Sequence, residues 1–483
     1  MAADLRQRRW LCIACQLLHR TMNTAILRSG SVRLRNGVGG AALALCSWLA
    51  MMGVGAGQPE TVAGPQPHEA SVAVASYTPP SDTEIARGAY LARLGDCAAC
   101  HSVPAKPDYS GGLPMRSPLG VIISTNITPD RETGIGSYTL QDFDRALRQG
   151  RTPRHNLYPA MPYAAFTKVT DNDIAALYAY FMHGVKPVHR KPPPTDLPFP
   201  FNQRWGLALW NGLFVEHGTY QPDSGKSAQW NRGAYLVQGL GHCGSCHTPR
   251  GVAYQPLGFS ETSRHFLAGG ITDHWLAPNL TGQRESGLAD WSAEQISQFL
   301  KSGQTVRNMV FGPMRQVVSD SSRHFDDADL ASIATYLKSL GPRHRDASFL
   351  PATAPRHTVA WLQSGEVRIP GGGLYANFCA KCHQAGGEGD PTKAPALVRS
   401  GVVRSPDPSS VIHILISGGN QHPASDIPAM AGIDPMPAFA KQFSDREIAE
   451  VASFVRRSWG NDAAPVTERQ VQKIRAAAAA ETH

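Results

Sequence analysis

The chain has 483 residues, with 46 Lys and Arg against 38 Asp and Glu for a formal charge of +8, and it contains 37 Pro and 46 Gly. Seven Arg and one Asp fall within residues 1–57, which leaves 39 basic against 37 acidic side chains in the remainder. That balance gives a nucleic-acid partner, which requires a concentrated basic face, no electrostatic support, while the length suits about three loop-rich domains of roughly 150 residues.

Residues 1–57 read as a signal peptide or targeting region. Residues 38–56 (VGGAALALCSWLAMMGVGA) are apolar and uncharged, follow Arg33 and Arg35, and end in small residues, with Val54-Gly-Ala56 fitting a cleavage site. The part before them is long for such a segment, so Met22 is an alternative start. An uncleaved anchor is the other reading, because about twenty apolar residues can span a bilayer. Either way the rest of the chain is expected to be exported. Cys12, Cys15 and Cys46 lie in or before this segment and the other six cysteines share one pattern, so no structural disulfide is expected. Cys15 is followed by Gln16, which makes that pair incidental, and Cys46 follows Leu45, where a lipoprotein signal needs a small residue.

The six remaining cysteines occur as Cys97-Ala-Ala-Cys-His101, Cys243-Gly-Ser-Cys-His247 and Cys379-Ala-Lys-Cys-His383, at intervals of 146 and 136 residues. A C-x-x-C pair alone serves zinc, thiol exchange or c-type haem attachment. The histidine directly after the second cysteine narrows the choice: two thiols can bond the vinyl groups of one haem while the imidazole turns under the ring to the iron. Zinc needs four ligands from neighbouring segments, which pairs so far apart do not supply. Three covalently bound haem c groups are therefore expected, on Cys97 and Cys100, Cys243 and Cys246, and Cys379 and Cys382. His101, His247 and His383 are the expected axial ligands, and haem propionates would turn the near-neutral remainder acidic.

The surroundings of the motifs repeat. Arg87-Gly-Ala-Tyr-Leu91, Arg232-Gly-Ala-Tyr-Leu236 and Gly373-Leu-Tyr375 precede them and read as helices that run into the attachment turns. Thr170-Asp-Asn-Asp173, Asp326-Asp-Ala-Asp329 and Ser444-Asp-Arg-Glu447 each set an N-cap oxygen three residues before a carboxylate, and apolar residues follow at helical spacing. These helices close units placed at 80–190, 225–345 and 365–460, with residues 191–224 as linker and 461–483 as tail. Residues 186–196 (KPVHRKPPPTD) should hold the first two units apart as a proline-stiffened spacer. The aromatic-rich segment 197–214 (LPFPFNQRWGLALWNGLF) is expected to pack between neighbouring units, with docking of a partner or a membrane as the alternative. Asn126-Ile-Thr and Asn279-Leu-Thr match a glycosylation pattern but sit at equivalent points of two repeats, which favours a structural turn. His155, His242 and His422 share no spacing and read as surface or core residues.

Iron held by one histidine needs a sixth ligand, and each unit offers a methionine flanked by proline: Met161 in Pro159-Ala-Met-Pro162, Met314 after Pro313, and Met436 between Pro435 and Pro437. They follow their histidines by 60, 67 and 53 residues. Met309 and Met430 compete in the second and third units but lack an adjacent proline, and Met115 lies too close to its motif. His/Met ligation raises the potential and closes the iron to substrates, so outer-sphere electron transfer is expected rather than oxygen activation. The carbonyls of Pro278 and Pro395 are expected to accept the free ring N–H of His247 and His383. Thr125 stands at the matching place in the first unit, where that role is doubtful.

The stretches TNITPDRETGIG (125–136), LYPAMPY (157–163), ALYAYF (176–181), FPFNQRW (199–205), WNRGAYLVQGLGHCGSCHTPRG (230–251), MPAFAKQFSDREIA (436–449) and SWGN (458–461) carry a resemblance to a family. Over about residues 80–461 the chain resembles the triheme cytochrome c subunits of bacterial membrane-bound dehydrogenases that oxidise alcohols, gluconate, sorbitol or fructose. The resemblance implies a mainly α fold of three tandem class I cytochrome c-like domains, with Met161, Met314 and Met436 at the axial positions. It implies a subunit on the periplasmic side of the inner membrane, peripheral or N-terminally anchored. Electrons would come from a flavin (FAD)- or pyrroloquinoline quinone (PQQ)-containing catalytic subunit and go to ubiquinone in the respiratory chain. Substrate-binding residues are then expected on another polypeptide, and nothing here resembles a dinucleotide fingerprint or a hydrolytic triad. A free multihaem shuttle and a haem peroxidase are the alternatives. The Ala-rich end, residues 475–483, is too short and polar to span a bilayer.

Overall fold

The computed structural model describes residues 79–343, 359, 360, 362 and 369–481, apart from residues 105, 118, 273, 285 and 420–426. The targeting region with Cys12, Cys15 and Cys46, and His422, lie outside the described residues.

The first repeat runs from α1 (Asp82–Leu94) through the attachment turn at Cys97–His101 to an antiparallel hairpin, β1 (Pro114–Ser117) and β2 (Gly120–Ile123), then α2 (Leu140–Gln149) and α3 (Asp171–Ala179). Helix α4 (Gly206–Phe214) follows. The second repeat has the same order: α5 (Ala228–Gln238), the turn ending at His247, β3 (Gly270–Thr272) with β4 (Trp275–Ala277), α6 (Ala293–Ser302), α7 (Pro313–Asp320) and α8 (Asp327–Ser339). The third has helical turns over residues 372–383, then α9 (Ser409–Ser417), α10 (Asp445–Arg457) and α11 (Glu468–Glu481).

The expected start signals operate. Thr170, Asp326 and Ser444 each accept the backbone N–H three residues on, at the N-caps of α3, α8 and α10, a bond that contributes about 1 kcal/mol. Only in α10 does the carboxylate reach back, as Glu447 to the Ser444 amide. Asp173 and Asp329 turn inward instead, because arginines claim them: Arg87 meets Asp173 at 2.5 Å, and Arg232 forms a two-pronged pair with Asp329 at 2.7 Å on both prongs. The glycines after those arginines let the helices cross closely. A Cβ at Gly88 would stand 1.9 Å from the Ala176 carbonyl, and one at Gly233 would stand 1.9 Å from that of Ser332.

The tyrosines two residues further on, in the Arg-Gly-Ala-Tyr repeats, cross between repeats. Tyr90 donates to Asp329 at 2.8 Å and Tyr235 donates to Asp173 at 2.5 Å. One apolar core accordingly runs through both repeats, from Leu91, Phe143 and Leu177 to Leu236, Ile296 and Leu337. The expected spacer does not hold the two apart. Its backbone lies along the first repeat, where Asn126 donates to the carbonyls of Val188 and Arg190 and the Arg190 amide donates to Thr133. Asn126 and Asn279 are buried, each accepting from the amide and hydroxyl of the threonine two residues on, so both Asn-x-Thr triplets are structural turns.

The third repeat has its own core, centred on Tyr375, Ile412, Val451, Phe454 and Trp459. The segment expected to be a tail contributes to it: Val471 and Ile474 of α11 are buried against α9 and α10. A smaller cluster joins Met309, Val310 and Val318 to Ile427 and Met430.

The aromatic-rich segment departs from expectation. Trp210 packs inward against Tyr163, but Phe199, Phe201, Trp205, Leu209 and Leu213 are exposed. Buried polar anchors on the inward face fix its orientation and leave the remaining apolar side chains outside.

Candidate haem sites

Each attachment motif forms a short helical turn following the helical segment before it, so the histidine, four residues on, sits one turn beyond the first cysteine. In all three the histidine Nδ1 faces a backbone carbonyl: His101 to Thr125 at 2.7 Å, His247 to Pro278 at 2.7 Å, and His383 to Pro395 at 2.9 Å. A carbonyl only accepts, so Nδ1 carries the proton and Nε2 keeps its lone pair, the form in which an imidazole can ligate a metal. The first contact corrects the doubt about Thr125: the acceptor is main chain, so the side chain at that place does not matter. Burial holds all three imidazoles below their ordinary pKa, in the neutral form that ligation requires.

The thiols are unbridged. Burial pushes Cys97, Cys243 and Cys379 up to about 12 and Cys100 up to about 11. Thiols so held are poor thiolates, the opposite of what dithiol exchange needs. Among the described residues no group of three or more His, Cys, Asp and Glu side chains converges as a metal site.

A continuous cavity of about 1660 Å³ runs past Cys243, Cys246, His247 and Met314 and on past Cys379, Cys382, His383 and Met436. Leucine and isoleucine side chains of α6 and α8 line its second-repeat end, and Val451 and Val455 of α10 its third-repeat end. Met309 and Met430 also reach its wall, buried in the cluster between those repeats, so all four methionines of the two repeats border the same space. In the first repeat, Met161 precedes the short helix Tyr163–Phe166 and packs on the same apolar core as Cys97 and Ala98. Met115 lies on β1. Of the other histidines, His155 meets Thr152 at 2.8 Å and His242 packs edge-on to Phe166.

Residues 231–341 match the family model described as Cytochrome c, and residues 369–455 match that of cytochrome C oxidase, cbb3-type, subunit III. The gluconate 2-dehydrogenase cytochrome c subunit of Pantoea cypripedii is 42% identical over 82% of this chain and 90% of its own length. The cytochrome c subunit of alcohol dehydrogenase (quinone) from Gluconacetobacter polyoxogenes is 42% identical over 83% of this chain and 86% of its own. The fructose dehydrogenase cytochrome subunit of Gluconobacter japonicus is 37% identical over 81% of this chain and 82% of its own. The chain belongs to this family of dehydrogenase cytochrome c subunits.

A cytochrome c domain holds haem c covalently, and the residues of this subunit fit that group. The paired thiols, the neutral histidine with Nε2 available, and the apolar cavity beside them are the donor set and enclosure it needs. What sequence reasoning missed is the partnership of the first two repeats. The signal was present in the Arg-Gly-Ala-Tyr-Leu run, identical in those two repeats and absent from the third.

Proposed function

We propose that this subunit is a triheme electron relay, made of three tandem class I cytochrome c-like domains at about 80–190, 225–345 and 365–460. It receives electrons from a flavin- or PQQ-containing dehydrogenase subunit and passes them to ubiquinone at the periplasmic face of the inner membrane. The observation that carries this reading is the recurrence, in all three repeats, of a histidine whose Nδ1 is pinned to a main-chain carbonyl directly after two unbridged cysteines. Haem, when bound, supplies a one-electron couple. The chain's part is to fix His101, His247 and His383 in one tautomer, to present Met161, Met314 and Met436 as sixth ligands, and to exclude water with the apolar walls around them. Quinone as acceptor is supported by the name of the alcohol dehydrogenase (quinone) relative. The targeting segment at 1–57 supports export.

The test is to tag the C-terminus, extract membranes with mild detergent, identify what co-purifies, and add sugars, sugar acids or alcohols. Reduction of the haems by one substrate, in the presence of a flavin or PQQ subunit, is expected. A chain with no partner that no substrate reduces would be a free shuttle instead, and a haem open to cyanide or peroxide would point to a peroxidase.

A further inference from the structure

Between α6 and α7 lies a tight turn of the second repeat, closed where Gln304 pairs with Met309. Thr305, which is buried, fastens it. The Thr305 hydroxyl accepts from the Arg307 amide at 3.3 Å and the Asn308 amide at 3.1 Å, and the Thr305 amide donates to the Asn308 carbonyl at 2.8 Å. The first repeat has the same turn, closed at Arg151 and Asn156, where Asn156 and Arg204 each donate from the side chain to the other's carbonyl. In the second repeat the turn grips the third repeat instead. The Arg307 carbonyl accepts from the Ala396 amide at 2.8 Å, the Arg307 guanidinium donates to the Val398 carbonyl at 3.1 Å, and Gln304 Nε2 donates to the Ala429 carbonyl at 2.7 Å.

The Ala396 N–H belongs to the same peptide unit as the Pro395 carbonyl, and that carbonyl accepts from His383 Nδ1 at 2.9 Å. A peptide unit is planar, so fixing its N–H aims its oxygen. One rigid group therefore joins the two repeats: His383 Nδ1–H meets the Pro395 oxygen, and Ala396 N–H meets the Arg307 oxygen. Hydrogen bonds in such a chain polarise one another, so donation from the Ala396 N–H makes the Pro395 oxygen a stronger acceptor. The other two histidines have a shorter arrangement. The amides of Asn126 and Asn279, in the matching peptide units, donate to no backbone carbonyl among the described residues.

We propose that Arg307 is a positioning residue for His383, through which the second repeat tunes the iron-ligating strength of the third repeat's histidine. Its carbonyl anchors the peptide unit, and its side chain holds Val398, so the unit cannot turn away from the imidazole. An imidazole whose Nδ1–H is firmly held is more basic at Nε2, and a more basic ligand favours ferric over ferrous iron. The grip thus lowers the potential of the third haem. The guanidinium charge alone would act in the opposite direction, since a nearby cation disfavours the more positive ferric state. The proposal deepens the electron-relay reading and rests on it for the haem at Cys379 and Cys382.

The test titrates every haem of the full haem-loaded chain by spectroelectrochemistry in wild type, R307A and T305V. The component missing from C379A/C382A identifies the third haem; if none is missing, the haem reading fails and takes this proposal with it. R307A releases the Val398 carbonyl, and T305V unfastens the turn without altering charge. Each is expected to shift the third haem's equilibrium about threefold toward the reduced form, less than loss of the histidine's own acceptor would cause, and to leave the other two haems unchanged. Arg307 is exposed, so R307A should fold and decides the matter even where T305V does not accumulate. A shift of the third haem toward the oxidised form in R307A overturns the proposal, because the residue would then act by its charge. No shift, or an equal shift of all three haems, overturns it too.

Discussion

Tyr235 donates a 2.5 Å hydrogen bond to Asp173, a residue of the preceding repeat, and Asp173 is at the same time held by Arg87 of its own repeat. Tyr90, Asp329 and Arg232 form the mirror arrangement. Each repeat thus supplies the arginine for its own carboxylate and the tyrosine for its neighbour's. Burial and the facing carboxylate raise both phenols well above the ordinary tyrosine pKa, so they remain donors throughout the physiological range.

Removing one crossing hydroxyl as Y235F should cost about 1.5–3 kcal/mol, the value of a hydrogen bond to a charged acceptor, because Asp173 keeps only its arginine and local cap contacts. Y90F should cost a similar amount. The double variant should be close to additive, since the two carboxylates are separate acceptors. Thermal or urea unfolding of the haem-loaded protein measures all three.

The close crossings behind these bonds leave no room for a methyl group. G233A would place a Cβ 1.9 Å from the Ser332 carbonyl, so α5 and α8 must move apart. A loss of at least about 1–3 kcal/mol is expected, with reduced haem incorporation at Cys243 and Cys246. Pyridine haemochrome content per chain checks it.

M161L, M314L and M436L are nearly volume-conserving, so packing should change by less than about 1.5 kcal/mol in each. Under the proposed ligation each should nonetheless abolish the methionine-to-iron charge-transfer absorption of one haem and lower that haem's midpoint potential. M309L and M430L, at the neighbouring buried positions, should leave all three haems as they were. Spectroelectrochemical titration separates the two sets.

His413 lies buried and stacked on the Trp275 ring at 4.0 Å between centroids. Burial, with His274 nearby, pushes its pKa down to about 4. The unfolded chain takes up this proton from about pH 6.5 downward and the folded chain only near pH 4, so stability should fall as the pH drops through that window, by about 3 kcal/mol in all. H413F keeps a ring on Trp275 and removes the titration. Its urea midpoint should be less sensitive to pH over the same interval.

Much of this was legible in sequence because the signals are local. The helical turn of each Cys-x-x-Cys-His run, the N-cap of each closing helix and the Asn-x-Thr turn are each settled within a few bonds of chain. The Thr125 contact was harder because the working atom is a carbonyl that every residue possesses, so side-chain identity held no information. The orientation of α4 was hidden for another reason. Periodicity reveals which face is buried only when the other face is polar, and Leu209 and Leu213 are as apolar as Trp210. The sharing of Asp173 was beyond local reading, since its partners Arg87 and Tyr235 stand 86 and 62 residues away.

The single core running through the first two repeats has a consequence for cooperativity. Repeats with one interior cannot melt separately, because opening either exposes apolar surface of the other, whereas the third has its own core, closed by its C-terminal helix, and meets the second through a methionine-lined cluster, the Trp275–His413 stack and the paired Ser410–Leu276 hydrogen bonds. Two separate main cores predict that calorimetry should resolve no more than two transitions for three attachment motifs. Truncation before α11 should lower only the transition that belongs to the third.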